Sequence, residues 1–228
     1  IGSVVTSMIL VGGIKLVKRQ LEMERQKQKA EKAALTSELK FLKSQLNPHF
    51  MFNALNNIYF LIKKDPDTAA DALAKYSDIL RYQIYHCNEP FIALREEVDF
   101  LENYIRISKL SKNRLTLNTD LPQQLNGEKI APLVLIPFVE NAFKHVSDEK
   151  DRLNQIDIEL RVDQAQLQLK VENTFSQKLD KEEAVLKEGG VGLHNVKRRL
   201  ELLYPKQYQL QFLEQQGTYK VDLKLSLK

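Results

Sequence analysis

The chain has 228 residues, 43% of them hydrophobic and 28% charged, and a formal net charge of +4. That is the make-up of a core-forming protein with one large domain or two small ones, and the charge is too small to argue for nucleic-acid binding. Cys87 is the only cysteine, which excludes an internal disulfide and any cysteine-rich metal site.

Ile1 to Ile14 carries no charge and ends abruptly at Lys15. As a helix this run rises only ~21 Å, against a bilayer core of ~30 Å. It is expected to be the end of a truncated transmembrane helix, with Lys15, Lys18 and Arg19 marking its cytoplasmic side. A cleaved signal peptide fits less well, because the basic cluster follows the apolar run instead of preceding it.

From Lys15 to Ile62 there is no glycine, and the only proline is Pro48. Leu35, Leu39, Leu42 and Leu46 alternate steps of four and three, the pattern of a coiled-coil seam. The same steps continue to His49, Asn53, Asn56 and Phe60. A second stripe of Phe52, Leu55, Tyr59 and Ile62 runs beside it, rotated by ~60°. Such a helix leaves a two-stranded seam near His49 and enters a four-helix bundle. Pro48 either kinks the helix or restarts it with Asn47 as its cap.

Asp65-Pro66-Asp67 breaks the pattern, with Asp67 or Thr68 as the expected N-cap of a helix from Ala69 to Tyr85. The resulting hairpin exposes an apolar face that dimerisation would bury. A further helix is expected over Leu94–Leu110. Leu115, Leu117 and Thr119 read as a strand, and Pro132 to Val146 as a helix with proline in its first turn. Two strands of period two, around Ile156–Leu160 and Leu167–Val171, turn near Asp163 to Ala165. Thr174 to Glu188 reads as a polar, mobile loop. A helix from Leu193 to Leu203 and strands at Tyr208–Phe212 and Tyr219–Leu227 complete an α+β sandwich.

Three segments carry residues suited to chemistry. In Asn47-Pro48-His49-Phe50-Met51-Phe52-Asn53, His49 and Asn53 share one helix face. A histidine with a carboxamide one turn away suits nucleophilic attack on phosphorus, the amide orienting water or phosphoryl oxygens. The plainer alternative is a histidine bonded inside the bundle. In Pro137–His145, Asn141 and Lys144 share a face: an amide oxygen is a hard ligand for Mg²⁺ and an ammonium a point charge for phosphate. Lys144 and His145 equally suit the negative end of a helix dipole. Gly189-Gly190-Val191-Gly192 precedes a helix, where backbone amides can turn toward a polyphosphate. It is not a Walker loop, because no Lys-Ser/Thr follows. Gly217-Thr218 reads equally as a plain turn.

In order and spacing, LKSQLNPHFMFNALNNI, PLVLIPFVENAFKH and GGVGLHNVKRRLELLYP resemble the three signature boxes of the LytS/YehU-type sensor histidine kinases. The resemblance runs from about Leu35 to the C-terminus, and its last two boxes are shared with the wider GHKL ATPase superfamily. It implies a protein histidine kinase using ATP and Mg²⁺, with His49 as phospho-acceptor and Asn141 on the metal. Lys144 and His145 would approach the phosphates, Gly190 and Gly192 would bracket the ATP lid, and Gly217-Thr218 would match the late Gly-Thr of the Bergerat fold. The implied partners are a response regulator, often of the DNA-binding LytTR type, and a second copy of the chain. The implied setting is the inner membrane of a bacterium.

Two positions depart from the family pattern. Phe50 stands where many histidine kinases place an acid directly after the phospho-acceptor. Asn173-Thr174-Phe175 stands where GHKL proteins carry Asp-x-Gly, so Asn173 would accept the adenine amino hydrogen through its carbonyl oxygen. The expected layout is a membrane-helix end (1–17), a coiled-coil signalling helix (18–46), a dimerisation and phosphotransfer region forming a dimeric four-helix bundle (47–112), and a GHKL ATP-binding domain (113–228). Two other readings are a GHKL ATPase driving conformational change, in which the His49 hairpin has no role, and a degenerate scaffold, to which Phe50 and Asn173 lend support.

Overall fold

The computed structural model describes residues 2–45, 48–86, 89–112, 114–147, 154–175, 191–215 and 217–228, with the backbone alone at 2–11, 35, 36, 38–45, 48, 49, 191, 192 and 194. Expectations for Leu46, Asn47, Cys87, Gly189, Gly190 and most of the 174–188 loop fall outside these residues. So do those on the side chains of Leu35, Leu39, Leu42, His49 and His194. The chain divides into two units, Ile1–Asn47 and Pro48–Lys228.

The first unit is one helix, α1 (Gly2–Gln45), whose described side chains are exposed along 12–34. No helix among the described residues is long and apolar enough to cross a membrane.

The second unit opens with α2 (Pro48–Lys64). After Asp65 comes α3 (Pro66–Tyr85), then the two-residue strand β1 (Ile92–Ala93) and α4 (Leu94–Leu110). The cap of α3 is Asp65, not Asp67 or Thr68. Its carboxylate accepts from the Thr68 backbone N–H at 3.1 Å and the Thr68 hydroxyl at 2.7 Å. Pro66 then occupies the first turn, where its missing N–H costs nothing. On α3, Ala69, Ala72, Tyr76, Ile79 and Tyr82 are buried. On α2, Ala54 and Ile58 face inward, while the anticipated stripe of Phe52, Leu55, Tyr59 and Ile62 is exposed.

Strands β2 (Thr116–Asp120), β4 (Gln155–Asp163), β5 (Gln166–Thr174), β6 (Tyr208–Gln215) and β7 (Thr218–Ser226) form one sheet in the order β2-β4-β5-β7-β6. Only the β2–β4 pair is parallel. The short β3 (Lys129–Ile130) pairs with β1. Helices α5 (Ile136–His145) and α6 (Val191–Leu203) complete the unit. The period-two strands bury Ile156, Ile158 and Leu160 of β4, Leu167, Leu169 and Val171 of β5, and Val221, Leu223 and Leu225 of β7. These side chains share one core with Phe138, Val139, Ala142 and Phe143 of α5 and Leu193, Val196 and Leu200 of α6. The result is a mixed α/β fold with an antiparallel-dominated sheet, as the alternation in the sequence requires. The β4–β5 turn is tight, with Gln164 and Ala165 both at positive φ.

The expected helix from Pro132 begins only at Ile136. Residues 131–135 form a loop instead, with Leu133 at φ 56, a left-handed backbone no right-handed helix accommodates. Pro137, not Pro132, lies in the first turn. What holds the loop is Glu97 of α4, which is fully buried. Its carboxylate accepts hydrogen bonds from the Leu133 N–H at 2.9 Å, the Leu135 N–H at 3.1 Å and the Tyr82 hydroxyl of α3. Two residues before Leu133, the Ala131 N–H donates to the Tyr204 hydroxyl at 2.7 Å. The amides of Ala131, Leu133 and Leu135 therefore each meet an acceptor that a buried backbone donor needs.

Burial pushes the Glu97 carboxyl above its ordinary 4.5, against the opposing pull of the Tyr82, Leu135 and Leu133 hydrogen bonds and of the Arg199 charge. An acid raised in the folded state gives stability that is present below its unfolded value and lost as the pH rises through its folded value. The stability of wild type relative to Glu97→Gln is therefore predicted to fall as the pH rises above 4.5, then to level off. Urea unfolding over a pH series reads this directly, and a difference that does not vary with pH contradicts it. Glu97→Ala should cost about 3 kcal/mol or more at neutral pH, because two buried N–H groups and a phenol lose their acceptor.

Candidate functional site

Helix α5 is amphipathic by construction. Phe138, Val139, Ala142 and Phe143 are buried, and the intervening Glu140, Asn141 and His145 are half-buried with Lys144 exposed. Asn141, Lys144 and His145 thus occupy the face turned away from the core. An uncharged oxygen donor, a cation and an imidazole within four residues make a surface suited to a polyanion. Among the described residues no group of three or more His, Cys, Asp or Glu could cage a metal ion. A cation held here would take the Asn141 amide oxygen and complete its shell from the anion it accompanies.

The end of α5 is fastened to the end of β5. The Ser147 N–H donates to the Thr174 carbonyl at 3.0 Å, and the Ser147 hydroxyl donates to Asn154 Oδ1 at 2.6 Å. The Gln155 N–H donates to the Thr174 hydroxyl at 3.0 Å. Next to this knot, Asn173 is buried at 3% exposure and its Nδ2 donates to the Thr174 carbonyl at 3.1 Å. With one of its two N–H donors so engaged, the amide is oriented with Oδ1 as its acceptor end. Asn173 follows Val171 on the inner face of β5, the face on which α5 packs.

The start of β7 adds the next pair. Thr218 is in register with Thr174, and the Phe175 N–H donates to the Gly217 carbonyl at 2.9 Å. Gly217 has φ 83, so a side chain there is strained. One end of the sheet therefore gathers Asn173, Gly217 and Thr218 beside the terminus of the helix that carries Asn141, Lys144 and His145. Gly192 lies in the first turn of α6, by its backbone.

His49 is the second residue of α2. Its neighbour Phe50 stacks on Tyr104 of α4, with ring centroids 4.4 Å apart and planes inclined 23°. Tyr104 meets Phe143 of α5 edge to face at 6.5 Å. Burial, and then the nearby charge of Glu140, push the Tyr104 phenol well above its ordinary range. Asn53, one turn beyond His49, is exposed. His86 sits apart at the end of α3, with Nδ1 3.4 Å from Glu96 and its ring tilted against Tyr82.

Sequence reasoning missed Glu97, Tyr104 and the Ser147–Thr174 knot. For Glu97 a signal existed: it is a lone acid inside the apolar stripe of Leu94, Val98, Leu101 and Ile105. The knot is assembled from residues distant in sequence and left no local pattern.

Comparison with known proteins bears on the whole arrangement. The family model described as histidine kinase matches residues 37–115. The sensor histidine kinase BtsS of Escherichia coli (strain K12) is 30% identical over 198 residues, covering 86% of this chain and 34% of that protein. The sensor protein LytS of Staphylococcus saprophyticus is 31% identical over 192 residues, covering 80% of this chain and 32% of that protein. Among solved structures, the Acinetobacter baumannii histidine kinase AdeS superposes with a TM-score of 0.43 at 14% identity, over 75% of this chain and 84% of that one. The chain spans about a third of the length of the curated relatives it matches.

Proposed function

We propose that this chain, which over the stretch it shares with them belongs to the LytS/YehU-type sensor histidine kinases, is the catalytic core of such a kinase. It moves the γ-phosphoryl group of ATP to His49 and from there to an aspartate of a response regulator, the LytTR type being the expected partner. The observation that carries this reading is the joining of the α2 turn holding His49 to α5 through Phe50, Tyr104 and Phe143. Neither an ATPase nor a scaffold needs that junction.

The chemistry asks the protein for position and charge more than for covalent work. The bond from the γ-phosphorus to the bridging oxygen breaks, and ADP leaves with its electron pair. A bond forms to an imidazole nitrogen of His49, and the ring N–H proton passes to solvent. Lys144 and His145 hold the phosphates, and Gly190, Gly192, Gly217 and Thr218 close around the nucleotide. Asn173 is the acceptor for the adenine amino group. Its amide oxygen does the work of the usual aspartate, oriented by the hydrogen bond from Nδ2 to the Thr174 carbonyl. Asn141 would hold Mg²⁺ through its amide oxygen, and the bound ion would supply neutralisation of phosphate charge. Asn53 orients the water that removes the phosphoryl group from the regulator.

The working unit in this reading is a homodimer at a bacterial inner membrane, anchored through the segment before Lys18, with 18–46 as the signalling helix, 47–112 as the phosphotransfer region and 113–228 as the ATP-binding domain. Support for the dimer is the uncovered apolar face of the hairpin: Phe52, Tyr59, Phe60 and Ile62 on α2, with Ile84 and Tyr85 on α3. An exposed patch of this kind marks an interaction surface. A four-helix bundle of two copies would bury it, and the Leu35, Leu39, Leu42 and Leu46 seam is a further dimer contact in this reading.

Following the γ-phosphate of labelled ATP tests the reaction. An acid-labile, alkali-stable protein adduct is expected, and its loss in Asn141→Ala. Free phosphate alone fits an ATPase, no turnover fits a scaffold, and an unimpaired Asn141→Ala overturns the Asn141 assignment. The dimer has its own check. Tyr59→Glu with Phe60→Glu sets charges into the interface, at a cost of several kcal/mol, and should give monomer in sedimentation at micromolar concentration. A fully dimeric variant excludes this face.

A further inference from the structure

We infer that Phe50 is a positioning residue that docks the His49 turn onto the nucleotide helix of its own chain, so that phosphoryl transfer occurs within one protomer. The inference rests on the kinase reading above and goes beyond it by naming the device and the route.

Next to His49 on α2, Phe50 and Met51 pack against the core shared by α3, α4, α5 and the sheet. Phe50 lies nearly flat on Tyr104, a geometry that adds to simple burial. Tyr104 is only 6% exposed and passes the contact to Phe143, also 6% exposed, in the middle of the Asn141–His145 segment. The three rings lie on α2, α4 and α5 of a single unit, Pro48–Lys228.

This explains an oddity of the sequence. The position after His49 holds an aromatic ring where an acid would serve as base. A ring cannot take a proton, but it can fix where the neighbouring histidine stands. Holding two reacting groups in register is worth orders of magnitude in rate. The far stripe of α2, with Phe52, Tyr59 and Phe60, points elsewhere and remains for the partner copy. The two apolar faces of α2 thereby divide the work: one docks within the chain, the other dimerises.

Three measurements on the full chain test this. First, Phe50→Leu should lower the adduct-forming rate at saturating ATP on the order of 10- to 100-fold with the KM for ATP unchanged, and Phe50→Tyr, which keeps the ring, should restore it. A wild-type rate in Phe50→Leu, or equal changes in rate and KM, overturns the positioning role. Second, differently tagged His49→Gln and Asn141→Ala chains are co-expressed and the mixed dimer purified. Transfer within a protomer leaves both chains unlabelled, and label on the Asn141→Ala chain of the mixed dimer, absent from its homodimer, overturns it. Third, amide hydrogen exchange over 48–58 should quicken in Phe50→Leu and not in Phe50→Tyr. Unchanged exchange overturns the docking whatever the chemistry. A wild-type chain that forms no adduct while showing the exchange response would sink the kinase reading alone.

Discussion

A buried carboxylate organises the second unit. Glu97 stands on α4, yet its bonds reach Tyr82 of α3 and the two backbone amides that lead into α5. An unpaired charge in that place would be costly, so the three donors and the Arg199 charge are conditions of its burial. The consequence is geometric. The loop before α5 cannot continue as helix, Leu133 takes a left-handed backbone, and the helix starts late, at Ile136. The face that Asn141, Lys144 and His145 present follows from that starting point, since each residue added or removed would rotate it by ~100°.

The same carboxylate ties the helical hairpin to the sheet-bearing part of the fold. Tyr82 belongs to the hairpin, Leu133 and Leu135 to the entry of α5, and the Tyr204 hydroxyl at the end of α6 accepts from Ala131 between them. A second link, from Phe50 through Tyr104 to Phe143, joins the first turn of α2 to α5. A third lies at the chain's last residue, where Lys228 pairs with Lys129 of β3 and its ammonium sits 3.8 Å over the Phe91 ring. Packed interfaces of this density shift between discrete arrangements rather than bending gradually. Three contacts therefore tie the helices and the segment around Phe91 to the sheet-bearing part of the unit.

Much of this was readable from the residues. Alternation of Ile156, Ile158 and Leu160 with polar neighbours forces a half-covered strand, and the period of α4 forces a helix on the core. The second box supplied Asn141, Lys144 and His145, and the structure sets the end of their helix beside Asn173, Gly217 and Thr218 at one end of the sheet, while Asn53 of the first box is exposed on α2. Three features were not readable. The cap was expected at Asp67 or Thr68, but the helix starts earlier, at Pro66, so that Asp65 takes the cap position. The late start of α5 depends on Glu97, which lies 36 residues before Leu133 in sequence. The division of α2 into an inward face of Ala54 and Ile58 and an outward face of larger side chains inverts what size alone suggests. Ala54 allows close helix approach inside the unit, while Phe52, Leu55, Tyr59, Phe60 and Ile62 stay exposed.

The central claim is that His49 alone receives the phosphoryl group. The chain has four histidines: His86 is engaged with Glu96 and Tyr82, while His145 and His194 belong to the segments that would hold the nucleotide. The direct measurement is peptide mapping of the labelled adduct under alkaline conditions, where a phosphoramidate survives. The account predicts label only on the peptide containing His49, and none in His49→Gln with fold and nucleotide binding intact. Label on His86, His145 or His194, or an adduct that persists in His49→Gln, contradicts it.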